Sequence, residues 1–183
     1  RVRRYPVVER DQRVFVWMGD PAVAHAAAIP EFYRQINDTD WHFVTGQKLV
    51  RAGYRLVLDN LLDLSHLSYV HASTTGSSEV AEKADIISEV DGDFVRVTRW
   101  MEAIPPAPAY AFYSGKDDPI DRWQVSQYIL PSCIDITNGS AAAGEGLPQA
   151  ERPRSCGRWG FVVQHAMTPA SGATTHQFWA VGV

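Results

Sequence analysis

Apolar positions recur at helical spacing in one stretch of the chain and run or alternate as strands do over most of the rest. From Asp59 to Tyr69, Leu61, Leu62, Leu64 and Leu67 fall on roughly one face, with Val70 following and Asp59 and Asn60 near the start, so a helix is predicted there. Ahead of it, residues 39–58 hold aromatic and β-branched residues broken by Gly46 and Gly53. They read as two strands, or as one strand leading into the helix. The opening stretch RVRRYPVVERDQRVFVWMGDP reads as strand, turn and strand, and its apolar run over residues 14–18 predicts a strand buried on both faces. The Pro-bounded GDPAVAHAAAIPEF after it reads as a linker or a single helical turn.

Downstream, Ala84 to Val90 and Phe94 to Met101 flank the turn signal DGD and predict a hairpin. Prolines bar AIPPAPAYAF from a central strand. Arg122 to Leu130 and Cys133 to Ile136 are strand-like, whereas Asn138 to Arg154, rich in Gly, Ala and Pro, reads as an exposed excursion. Arg158 to Met167 and Thr174 to Val181 form a closing pair across TPASGA. A helix followed by a run of antiparallel strands is the α+β class.

Composition narrows the setting more than the fold. A chain of 183 residues with 45% hydrophobic and 21% charged residues suits one folded domain. A net charge of −4 argues against nucleic acid as the main partner, despite the short basic cluster RVRR at residues 1–4. No apolar run reaches the roughly 20 residues that span a bilayer, so no membrane is expected. Cys133 and Cys156 make neither a disulfide framework nor a zinc ribbon, which points to a reducing, cytoplasmic setting. The chain has no initiator methionine and both ends lie in strand-like segments, so it reads as part of something larger.

The predicted helix also carries the chemistry. DNLLDLSHLSYVH places Asp59, Asp63, His66 and His71 within thirteen residues. An iron(II) site that must leave room for oxygen suits two His and one carboxylate on one face. Residues five apart on an ideal helix lie about 140° out of line. His71 therefore converges with His66 only if the helix unwinds, bulges or ends between them. A zincin would need His at i and i+4, and that pattern is absent. Asp63 shares a face with His66 and suits an orienting or charge-relaying role, while Asp59 suits a second-shell carboxylate or a helix cap. Spacing alone leaves both a metal site and a polar-decorated core helix open.

The pattern Asp59, Asp63, His66, His71 resembles the mononuclear-iron motif of Rieske non-heme iron oxygenases, and DNLLDLSHLSYVHAST is similar to the oxygenase components of vanillate and dicamba O-demethylases. RYPVVERDQRVFVWMGDP resembles the end of their Rieske domain, and ITNGSAAAGEG and HAMTPASGATTHQFWAV resemble their later sheet. The resemblance implies a helix-grip (START-like) fold, with a curved antiparallel sheet around a long helix. Residues 1–20 would be the tail of a Rieske domain and residues 21–183 a mononuclear-iron catalytic domain truncated at its C-terminus. It implies that His66 and His71 bind Fe(II), that Asp63 bridges to a Rieske cluster on a neighbouring subunit, and that His176 lines the substrate pocket.

Function follows from the same likeness: O-demethylation of a methoxylated aromatic with O2, fed from NADH through a reductase or ferredoxin, in a homotrimer. The Cys-x-His and Cys-x-x-His pairs of a [2Fe–2S] Rieske cluster are not in this sequence, and the third iron ligand is expected beyond Val183. Residues outside the motif receive plainer readings. Arg99 reads as a surface ion-pair partner ahead of a contact for a carboxylate substrate, His42 and His165 as structural, and Trp41, Trp100, Trp123 and Trp179 as core or pocket residues. Two rivals are a helix-grip module binding an apolar ligand without chemistry, and a zinc hydrolase. The second lacks any spacing for a third ligand and a general base.

Overall fold

A computed structural model describes residues 3–31, 34–92, 94–145, 156–157 and 159–183. Arg1 and Val2 of the basic cluster, Asp93 of the DGD turn and residues 146–155 of the expected excursion lie outside the described residues. The chain opens with a hairpin, β1 (Val7–Arg10) against β2 (Arg13–Val16), turned by Asp11 and Gln12, both at positive φ. That pair of conformations matches the twist of a two-residue hairpin. The hairpin is a sheet of its own, and Val14 and Val16 are exposed, so the expectation of a strand buried on both faces is corrected. Burial alternates along both strands, so the ribbon is half-covered on one face and open on the other, and a continuous apolar run cannot be buried in it. Two 3-10 turns follow, Pro21–Val23 and Ala26–Ala28.

The body is a seven-stranded antiparallel sheet ordered β3-β9-β8-β7-β6-β5-β4. Its strands are β3 (Phe43–Val50), β4 (Asp85–Asp91), β5 (Phe94–Ile104), β6 (Ile120–Ile129), β7 (Cys133–Ala142), β8 (Phe161–Ser171) and β9 (Thr174–Gly182). All neighbours are antiparallel. The last strand thus returns beside the first, as a helix-grip sheet requires. Four short helices are described: α1 (Tyr54–Leu62), α2 (Leu67–Val70), α3 (Ser78–Glu82) and α4 (Pro108–Ser114). None is long and apolar enough to cross a membrane.

The excursion expected from Asn138 onward begins later, because β7 continues to Ala142. Its Gly139 is a packing requirement, since a Cβ there would stand 2.1 Å from the Trp123 ring. Trp123 is fully buried and stacks on Trp100, with ring centroids 5.7 Å apart, on the sheet face away from the helices. The tryptophans of β5 and β6 are therefore core, and the small residues opposite them belong to the strand.

Helix α1 begins five residues earlier than the pattern suggested, behind Gly53. Tyr54, Val57, Leu58, Leu61 and Leu62 stand at i, i+3, i+4, i+7 and i+8, a complete apolar stripe. The stripe packs on Ile134, Ile136 and Met167 of β7 and β8. Asp59 lies inside α1 and is exposed, so it is not the cap, which is Gly53. The long helix resolves into pieces. Asp63 takes an extended conformation (φ −88, ψ 97), a 3-10 turn covers Leu64–His66, and α2 ends at Val70.

Candidate metal centre and cavity

The break at Asp63 has a local cause. Its side chain accepts the Ser65 backbone N–H at 2.9 Å, which makes it the N-cap of a new turn. That turn carries His66, and His71 caps the C-terminal end of α2. Helix breakage thus falls before His66 and at His71, and it brings the two rings together. Their centroids are 5.6 Å apart at an interplanar angle of 64°.

Behind His71 the chain closes tightly. The His71 carbonyl accepts the backbone N–H groups of Thr74 and Gly76, at 2.9 and 2.8 Å. Gly76 is the only residue type that fits there, since a Cβ would lie 1.8 Å from the Leu67 carbonyl oxygen. Nothing in the helical pattern marked it.

Hydrogen bonding fixes the chemistry of the first ring. His66 Nδ1 lies 2.6 Å from the Asp63 backbone oxygen. A carbonyl only accepts, so Nδ1 carries a proton, and in the neutral tautomer this selects, Nε2 is the nitrogen with the lone pair. This is how a metal-binding imidazole is held by its other nitrogen. Among the described residues no three His, Cys, Asp or Glu side chains converge, so the two imidazoles form an incomplete set. The donors present nevertheless fit two positions of a mononuclear transition-metal site.

Asp63 stays out of the pair. Its Oδ1 accepts from Ser65 and lies 3.2 Å from an Nη of Arg99, and its side chain is 66% exposed. The Ser65 bonds, aided by the Arg99 charge, hold its carboxyl below the usual range. Arg99 itself is buried, which replaces the expected surface ion pair with one between a buried cation and an exposed anion.

Both histidines open into a cavity of about 580 Å³ between the helices and the sheet. Leu61, Leu64, Leu67, Ile136, Phe161 and Val163 make most of its wall apolar. Polar side chains enter at Lys48 on β3, Gln177 on β9, His165 on β8 and Asn138 on β7. Lys48 pairs with Gln177 in register, and the Gln177 amide lies 3.1 Å from His165 Nδ1, so three adjacent strands share one polar strip. Burial, with the Lys48 charge adding to it, pushes His165 down to about 4 and keeps the ring neutral at pH 7. Among the described residues no Asp or Glu lines the cavity.

His176 is placed elsewhere. It is one residue from Gln177 on β9, so its side chain takes the opposite face, where Gln47 lies 3.2 Å away. The expectation that His176 lines the pocket is therefore corrected, and His165, read as structural, is the histidine that does so.

Comparison with known proteins gives a consistent picture. The vanillate O-demethylase oxygenase C-terminal domain family matches over residues 50–182. The chain is 36% identical to the vanillate O-demethylase oxygenase subunit of Pseudomonas sp. (strain ATCC 19151), over 98% of this chain and 55% of that protein. It is 31% identical to the iron-sulfur subunit of a toluene-4-sulfonate monooxygenase system from Comamonas testosteroni, over 97% of this chain and 51% of that one. Dicamba monooxygenase bound to 3,6-dichlorosalicylic acid matches with a TM-score of 0.83 at 27% identity, over 97% of this chain and 50% of the other. A second structure of that enzyme, with non-heme iron and dicamba, gives 0.73 at 26% identity, over 97% and 47%. The chain spans about half the length of the curated relatives it matches.

Proposed function

The chain belongs to the vanillate O-demethylase oxygenase C-terminal domain family, and from that membership we propose that it is the catalytic part of a Rieske-type oxygenase component that O-demethylates a methoxylated aromatic compound. The observation that carries this reading is the meeting of His66 and His71 on one wall of a largely apolar cavity, with His66 Nδ1 turned to a backbone oxygen. His66 and His71 would hold ferrous iron, and Asp63 would link it to a [2Fe–2S] cluster whose ligands are not in this sequence. In this reading residues 1–20 end a Rieske domain and residues 21–183 form the catalytic domain. The separate β1–β2 sheet supports that division. The whole protein is a cytoplasmic homotrimer served by a reductase or ferredoxin.

Bound iron supplies the redox chemistry that activates O2; the chain's own residues do the rest. Leu61, Leu64, Leu67, Ile136 and Phe161 exclude water and hold the aromatic ring, so that its methoxy group faces the histidines. Lys48, Gln177 and neutral His165 are left to engage a polar ring substituent. Lys48, with no carboxylate beside it among the described lining residues, favours an anionic substituent such as a carboxylate or sulfonate. Lys48→Met is expected to raise KM for an aromatic acid about 10-fold and to leave the neutral amide analogue nearly unaffected, since a charge-assisted bond is worth roughly 1.5–3 kcal/mol. Steady-state kinetics on the two substrates check this.

The overall reaction consumes one O2, two electrons and two protons, and releases a phenol, formaldehyde and water. Full-length protein purified anaerobically, given reductase, NADH and a methoxybenzoate, should release formaldehyde in proportion to substrate consumed. Tight substrate binding by iron-free protein, with no formaldehyde even after iron is supplied, would instead make this a binding module.

A further inference from the structure

We propose that Arg99 is a positioning residue for Asp63: it holds one carboxylate oxygen in place, so that the other is presented outward to a donor on another polypeptide. The inference rests on the reading of Asp63 as the link to the second redox centre.

Arg99 lies in the middle of β5 on the face that meets the helices, with a side chain 5% exposed. Its Nη2 donates to Asp63 Oδ1 at 3.2 Å, and the Ser65 N–H donates to the same oxygen at 2.9 Å. The Arg99 bond and the Ser65 backbone bond both fall on Oδ1, and the carboxylate is 66% exposed. The backbone oxygen of Asp63 is meanwhile taken by His66. One residue therefore carries three connections, to a ligand histidine, to the sheet and to the exterior.

The burial of Arg99 is costly for what it receives in return. Among the described residues its Nε and Nη1 are buried without a partner, and so is Oε1 of Gln124, its neighbour in register on β6. A buried guanidinium with one ionic bond is commonly no more stable than an apolar side chain of similar size. Fold stability is therefore a poor account of this residue, and orientation of its partner a better one.

Arg122 is buried at a similar cost, its Nε and Nη1 also without a partner among the described residues, and differs in what it holds. It is fully buried on the neighbouring strand, donates to the Thr75 carbonyl and lies 4.3 Å over the Tyr110 ring. The two arginines fasten opposite ends of the segment that carries both histidines. Arg122 holds only backbone, whereas Arg99 holds a charged group that faces outward. Without Arg99 the carboxylate keeps only its bonds to Ser65, two positions along the same turn.

The test uses full-length protein with its cluster reduced, and follows cluster reoxidation by visible absorbance in a single turnover with substrate and O2. Arg99→Met fills the same space and removes the charge, and Arg99→Lys keeps the charge without the fork. Arg99→Met should retain iron content, thermal midpoint and substrate affinity, while reoxidation slows roughly 10–100-fold, the range typical of lost outer-sphere partners. Arg99→Lys should recover part of that rate. Asp63→Asn serves as the reference. If Asp63→Asn is slow and Arg99→Met reoxidises at the native rate, the proposal for Arg99 is overturned. Loss of iron alongside rate in Arg99→Met overturns it too, because Arg99 would then be a general prop. A native rate in Asp63→Asn sinks the reading of Asp63 on which the proposal stands.

Discussion

Full-length protein carrying His66→Ala or His71→Ala should fold normally and lose its iron. The fold depends little on either ring. The His66 ring bonds the backbone oxygen three residues earlier, and an intramolecular bond of that kind contributes about 1 kcal/mol. His71 is exposed, and the loop behind it is held through its backbone oxygen. A metal held by few protein ligands is another matter. Losing a partner that merely orients a ligand costs roughly 10–100-fold in affinity, and losing the ligand itself costs more. Iron per subunit, measured after anaerobic purification, should fall from near one to a small fraction, and formaldehyde release should fall with it. Native iron content in both variants would return the two histidines to the role of ordinary side chains on a broken helix.

Gly76→Ala tests the same site from the backbone. The added methyl would stand 1.8 Å from the Leu67 carbonyl oxygen and 2.9 Å from the His71 carbonyl carbon, both of them main chain. No rotamer relieves that contact, so the loop must shift, and it can shift only by moving His71 or α2. Overpacking costs about 1–3 kcal/mol, which in a chain of this size lowers the thermal midpoint by roughly 3–10 °C. Iron content should drop as well, because His71 leaves its place opposite His66. Gly172→Ala is the control, as a Cβ there meets nothing within 4 Å. Calorimetry and metal analysis on the pair separate a local clash from a general dislike of alanine in turns.

The legible parts of this protein were those written over short distances. The helical recurrence around Leu61 and Leu62, though not the start of α1, and the Thr-Thr-His-aromatic run of β9 could be read in place, as could the constellation of Asp63, His66 and His71. The condition attached to that constellation was also legible, because five residues on an unbroken helix cannot aim two rings at one point. The location of the break was harder to read. Asp63 looked like a member of the helical face, yet its carboxylate competes for the backbone N–H of Ser65 and starts a new turn. The same side chain is then free to meet Arg99, a residue 36 positions away.

Other features depended on which strands lie side by side. His165 and His176 stand in strands with apolar residues on both sides, so alternation gave no sign of which face met the cavity. The order β3-β9-β8 decides it, by placing His165 with Gln177 and Lys48 under the helices and turning His176 toward Gln47. The stop of β7 was misjudged for a similar reason, since Gly139 looks like a loop residue until Trp123 occupies the space beside it. The amino-acid sequence by itself determined the class of fold, the helix that breaks and the pair of imidazoles, because caps, periodicity and spacing act between near neighbours. Tertiary structure alone decided the polar strip opposite them, the glycine behind His71 and the buried arginine beneath Asp63. Each of these depends on a partner that only strand pairing brings within reach.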